Sequence, residues 1–116
     1  MDFRKQKQIY LQIAERLMDQ IVAGTPAPDD RMPSVRDVAA SMGVNPNTVM
    51  RSFDYLQQEE IIYNRRGVGY FVGLDAKEKI LALQRREFLE EDLPVIKQKM
   101  RQLGISIDEL TLDDVI

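Results

Sequence analysis

A mainly α-helical fold with one small β-hairpin, arranged as a winged helix-turn-helix domain and a short helical tail, is predicted by three features. Apolar residues recur at spacings of three and four along several stretches. A glycine turn at Gly43 separates two capped helix starts, and two β-rich runs flank a basic, glycine-bearing turn at residues 65–68. The domain takes residues 1–73 and the tail residues 74–116.

The first helix runs from Gln8 to Ala23, with Ile9, Ile13, Leu17 and Ile21 at every fourth position and Glu15, Arg16 and Asp19 between them. Gly24 ends it, and Thr25 to Asp30, with two prolines and paired aspartates, is a loop. Ser34 with Asp37 three residues later is a variant of the capping box, so a short helix starts at Val35 and reaches about Met42. After Gly43, Asn45-Pro46 opens another helix. The asparagine caps, and proline at the first helical position gives up an N–H that has no helical partner there. This helix continues to about Glu59 and buries Val49, Phe53 and Leu56.

Ile61 to Asn64 and Gly69 to Val72 pair as a hairpin, the wing. From Asp75 to Leu103 the pattern is helical again, interrupted by Pro94, which either kinks the helix or starts a new one. Gly104 ends this stretch, and Ser106 caps a last turn or two through Leu112.

Composition narrows the function. A chain of 116 residues that is 44% hydrophobic and 30% charged has room for a core and one small appendage. It contains no cysteine and no histidine, which removes disulfides, thiolate chemistry, the usual zinc ligands and the commonest general base. The acidic run Glu90-Glu91-Asp92 reads as a solvated face, because adjacent helical residues point in different directions. No enzyme, metal or cofactor is expected. A membrane span needs about 18 consecutive apolar residues, and none are present; the charged start is not followed by a signal-like apolar stretch, so a cytoplasmic protein is expected.

The net charge of −3 lies entirely in the tail: residues 1–73 carry nine basic and nine acidic side chains, residues 74–116 seven and ten. A neutral front half still presents a basic face if its arginines cluster. In a helix-turn-helix, Ala39 allows close helix approach, Gly43 makes the turn, and Val38, Val44 and Val49 hold the pair. The outward side of the second helix then carries Asn45, Asn47, Thr48 and Arg51. Asparagine and arginine bind adenine and guanine edges in bidentate fashion, and threonine meets phosphate or a thymine methyl. Asn45 equally serves as a helix cap alone. Arg31 and Arg36 sit where they reach the flanking backbone, and Arg65, Arg66 and Gly67 form the wing tip. In the tail, Ile80, Leu83, Leu89, Leu93, Ile96, Met100 and Leu103 form an apolar stripe. A tail this small gains by sharing that stripe with a second copy; the other use is packing on its own winged helix.

These segments together resemble the GntR family of bacterial regulators, in its YtrA-like branch. The likeness is carried by Ile9-Tyr10 with Gln12-Ile13, by Met32-Pro33-Ser34-Val35-Arg36-Asp37 and by Gly43-Val44-Asn45-Pro46-Asn47-Thr48-Val49. It continues through Tyr55-Leu56, Glu60-Ile61-Ile62 and Arg65-Arg66-Gly67-Val68-Gly69-Tyr70-Phe71-Val72, covering nearly all of residues 3–73. The resemblance implies that Arg36, Asn45, Asn47, Thr48, Arg66 and Gly67 contact operator DNA, that the tail dimerises, and that a transporter operon is controlled. Some branches place arginines where this chain has Pro46 and Met50, so those contacts do not carry over. Arg51 rests on its place in the helix alone.

The expected function is a homodimeric repressor that reads an inverted-repeat operator. The alternative is a winged helix used only for protein contacts, which has no need of Asn47, Thr48, Arg51, Arg65 and Arg66. No small-molecule effector is assigned.

Overall fold

The computed structural model describes residues 7–110. These form two compact units, residues 7–83 and the residues from Gln84 onward.

The first unit contains α1 (Ile9–Ala23), α2 (Val35–Met42), α3 (Pro46–Gln58), the hairpin β1 (Ile62–Arg65) and β2 (Gly69–Val72), and the first turns of α4 (Ala76–Glu87). The local start signals act as the sequence indicates. The Ser34 side chain accepts the Asp37 N–H at 3.0 Å and the Asn45 side chain accepts the Asn47 N–H at 2.8 Å. Gly43 then turns the chain at φ 66°, a left-handed conformation that costs a side-chain-bearing residue about 1–2 kcal/mol. Glu60 takes a similar left-handed conformation, φ 61°, just past α3, and the Ile61 N–H closes back on the Leu56 carbonyl at 2.9 Å.

One apolar cluster joins these elements. Ile13, Leu17 and Ile21 of α1, Val38 of α2, and Val49, Phe53 and Leu56 of α3 are buried with Ile61, Ile62 and Val72 of the wing. Ala76, Ile80 and Leu83 belong to the same cluster, Ile80 at 0% and Leu83 at 4% exposure. This corrects the sequence reading, which closed the domain at residue 73 and assigned Ile80 and Leu83 to dimerisation. Both complete the winged-helix core, so neither is available to a partner.

The wing is wider than a hairpin. β1 and β2 pair antiparallel, Ile62 opposite Val72 and Arg65 opposite Gly69. Residues 29–32, which include the end of the expected loop at Asp29 and Asp30, add a third run along β2. Asp29 donates to the Val72 carbonyl at 2.8 Å, Val72 to Asp30 at 2.9 Å and Met32 to Tyr70 at 2.7 Å. That pairing joins segments some 40 residues apart in sequence, beyond the reach of local periodicity.

In the second unit the residues from Gln84 complete α4, and a π-helical turn (Phe88–Asp92) leads into α5 (Leu93–Leu103). Pro94 stands in the first turn of a new helix, α5, one of the two alternatives the sequence offers, and the backbone runs into it without a break, since Asp92 and Leu93 keep right-handed helical angles. The Leu93 N–H instead bonds the Phe88 carbonyl, five residues back. Widening the turn ahead of proline relieves the clash its ring makes with the preceding turn, and replaces the ladder its missing N–H interrupts. Gly104 ends α5 at φ 68°. Ser106 precedes the 3₁₀ turn Ile107–Glu109 without a side-chain cap, and the expected continuation to Leu112 lies outside the described residues. No described residue from Gln84 onward is buried.

Candidate nucleic-acid interface

The interface is built on the pair α2 and α3. Val49, Ser52, Phe53 and Leu56 are buried, so they fix the inward face of α3 and leave Asn47, Arg51 and Asp54 on the opposite side. Asn45 and Asn47 are exposed in the first turn and Thr48 is half-buried beside them. The Asn45 side-chain oxygen is engaged as the cap of α3, which leaves its amide nitrogen as the group facing outward contacts. Arg36 is exposed in the first turn of α2.

Arg31 belongs to the wing rather than to the start of α2. Its backbone bridges Phe71, and its guanidinium crosses Gly69 so closely that a Cβ there would lie 3.1 Å from Nε. Glycine at position 69, with φ 140°, is therefore required twice, once for the backbone and once for Arg31. Arg65, opposite Gly69 in register, lies over the Phe71 ring at 4.7 Å, and Phe71 stacks on Tyr63 at 5.7 Å. The Tyr63 hydroxyl donates to the Asp29 carboxylate, a bond that raises its pKa above the usual tyrosine value. The wing thus gathers Arg31 and Arg65 around Gly69 and Phe71. Arg66 and Gly67 are exposed at its tip, where Gly67 turns at φ 79°.

Arg51 is placed differently. It stands one turn beyond Asn47, yet its guanidinium lies 4.0 Å over the ring of Tyr10 at the start of α1. Among the described residues, Arg31, Arg36, Arg51 and Arg65 have no carboxylate partner; the ion pairs Lys7–Glu15, Lys79–Glu60 and Lys79–Asp75 involve none of them. Their positive charge is uncompensated at contact range, which is what a polyanion requires. Asp54 marks the edge of this face. Burial raises the pKa of Tyr70, and the nearby Asp54 charge raises it further.

Sequence reasoning does not reach Tyr10 and Phe71 as the rings under Arg51 and Arg65, nor the Tyr63–Asp29 bond behind Phe71. Each pairing is long-range, and the only local hint was an aromatic residue on an otherwise aliphatic or charged segment.

Comparison with known proteins gives this geometry its kin. Residues 9–72 match the sequence profile of bacterial regulatory proteins, gntR family. The chain is 33% identical over 104 residues to the HTH-type transcriptional repressor YtrA of Bacillus subtilis (strain 168), covering 90% of this chain and 74% of that protein. A putative transcriptional regulator of the GntR family from Bacteroides thetaiotaomicron superposes with a TM-score of 0.76 at 47% identity, over 88% of each chain. The DNA-binding domain of AraR, solved in complex with operator ORX1, superposes with a TM-score of 0.56 at 25% identity, covering 59% of this chain and 82% of that one. The profile match over most of the winged helix and the likeness to YtrA along nine-tenths of the chain lead to one conclusion: this protein belongs to the GntR family of transcriptional regulators.

Proposed function

We propose that this GntR-family regulator is a homodimeric repressor that occupies an inverted-repeat operator. α3 enters the major groove, and the wing lies along the flanking backbone. The observation that carries this reading is the set of four exposed arginines, Arg31, Arg36, Arg51 and Arg65, without carboxylate partners among the described residues, around a helix whose first turn offers Asn47 and Thr48. Arg31, Arg36, Arg65 and Arg66 meet phosphates and set register, Gly67 lets the wing tip approach closely, and Asn47 reads a base edge with support from Asn45 and Thr48. The family assignment and the AraR–operator likeness support the same docking.

The tail supplies the second copy. Leu93, Ile96, Met100 and Leu103, at spacings of three, four and three, share one side of α5, and none is buried. Leu89 is exposed on the turn before it. Pairing these stripes about a two-fold axis covers them and sets two recognition helices for half-sites about one helical turn apart. A cytoplasmic location follows from this role, and among the described residues no helix is long and apolar enough to cross a membrane.

The test is an anisotropy titration with DNA from upstream of its own operon, against random DNA of equal length. Tight binding to one and weak, salt-sensitive binding to the other is expected. Equal affinity for both contradicts specific readout, and no binding at low salt contradicts the DNA role. Asn47→Ala relaxes preference at one base position, while Arg36→Ala weakens all sequences alike.

A further inference from the structure

We propose that Tyr10, on α1 and outside the helix-turn-helix, is a positioning residue that holds Arg51 ready for a DNA phosphate. The proposal rests on the reading of α3 as the recognition helix. Its basis is the arrangement around one ring. The Arg51 guanidinium lies 4.0 Å from the Tyr10 ring centre. Tyr10 is itself held by two further residues of α3: buried Ser52 donates through Oγ to its carbonyl at 2.7 Å, and half-buried Tyr55 meets its ring edge-on at 6.5 Å. Ser52 is fully buried, and its single hydroxyl proton is shared between the Tyr10 carbonyl and the more distant Thr48 carbonyl at 3.2 Å, so this anchor belongs to the core rather than the surface.

The chemistry of the stack makes it a support rather than a sink for Arg51. A guanidinium lying over an aromatic ring engages through its face, while its N–H donors radiate in the plane and remain available to an anion. A neutral ring also leaves the cation's charge uncompensated, which an ion pair would not. Rotamer freedom that a loose arginine loses on binding is already lost in the free protein. Arg51 stands one turn from Asn47 on the outward side of α3, so the stack directs it along the groove edge toward α1, where backbone rather than base is met.

The experiment measures binding to upstream DNA across a salt series for the parent chain, Tyr10→Leu, Tyr10→Phe, Arg51→Ala and Tyr10→Leu/Arg51→Ala. Arg51→Ala should flatten the salt slope by about one phosphate contact. Tyr10→Leu should weaken binding by about two- to fivefold, the range of an exposed cation–π contact, and Tyr10→Phe should retain parent affinity. In the Arg51→Ala background, Tyr10→Leu should add nothing. Any packing damage caused by Tyr10→Leu persists in that background, so a loss undiminished there overturns the proposal. An Arg51→Ala variant with parent affinity and slope, alongside an Arg36→Ala variant that binds weakly, overturns it as well. Absence of DNA binding by the parent chain removes the recognition-helix reading, and this proposal with it.

Discussion

Residues 7–83 and the tail from Gln84 onward carry apolar side chains at the same helical spacing but with opposite outcomes. In the first region the stripes of α1, α3 and the start of α4 converge on one cluster, where Phe53, Leu56 and Ile80 are fully buried. In the second, Leu103 is 62% and Ile107 73% exposed, and no described residue is buried. Periodicity states that a face will be covered and is silent about what covers it. Ile80, Leu83, Leu93 and Ile96 form one stripe on paper, yet the first two complete the winged helix and the latter two are only half-buried.

The sharpest way to break this comparison is to truncate one residue from each side of it. Ile80→Ala should lower the unfolding free energy by about 2–5 kcal/mol, as a buried core truncation does, in a denaturant titration. The same change at Ile96 should leave the winged-helix transition almost where it was. Similar losses at both sites would mean that the tail packs as a core. Charge placed on the open stripe tests its proposed use. Leu93→Asp with Ile96→Asp should convert dimer to monomer in sedimentation. It should weaken operator binding by about two orders of magnitude, since linked half-site contacts become independent. A variant that stays dimeric contradicts the assignment of this stripe.

The wing offers a smaller test. Gly69→Ala puts a Cβ 3.1 Å from Arg31 Nε at a left-handed φ of 140°. A stability loss of about 1–2 kcal/mol is expected, with a DNA salt slope reduced as Arg31 is displaced. Unchanged stability and slope would show that this contact matters to neither. The smallest effect is that of pH. Because the hydrogen bond to Asp29 raises the Tyr63 pKa in the folded state, its contribution is present in full below the ordinary tyrosine pKa. It is lost as pH rises through the raised value. Tyr63→Phe should remove that alkaline component from a pH series of melting temperatures, and an identical alkaline profile for both proteins would discount the bond.

How far the sequence could be read follows from the range of each interaction. α2 is found with its expected limits, Val35 to Met42, because Ser34 and Gly43 act within a few residues of themselves. The start of α3 is equally legible, since Asn45 and Pro46 carry their signals locally. The outward place of Asn47, with Thr48 half-buried beside it, follows once the buried side of α3 is known, and Arg36 is exposed in the first turn of α2. What escaped depends on distant segments: Arg31 against Gly69, Arg65 on Phe71, Arg51 on Tyr10, and Ile80 in the core. The sequence marks Pro94 as a kink or a helix start but does not show the π-helical turn at Phe88–Asp92, because proline's missing N–H admits several remedies.

The proposed DNA-reading surface consists of the first turn of α3 and the arginines that have no carboxylate partner among the described residues. The most direct measurement is the affinity of the full chain for its upstream DNA and for random DNA across a salt series. The upstream DNA should be bound at least about a thousandfold more tightly near physiological salt, with log affinity falling steeply as salt rises. Equal affinity for the two DNAs, or binding indifferent to salt, would contradict this reading.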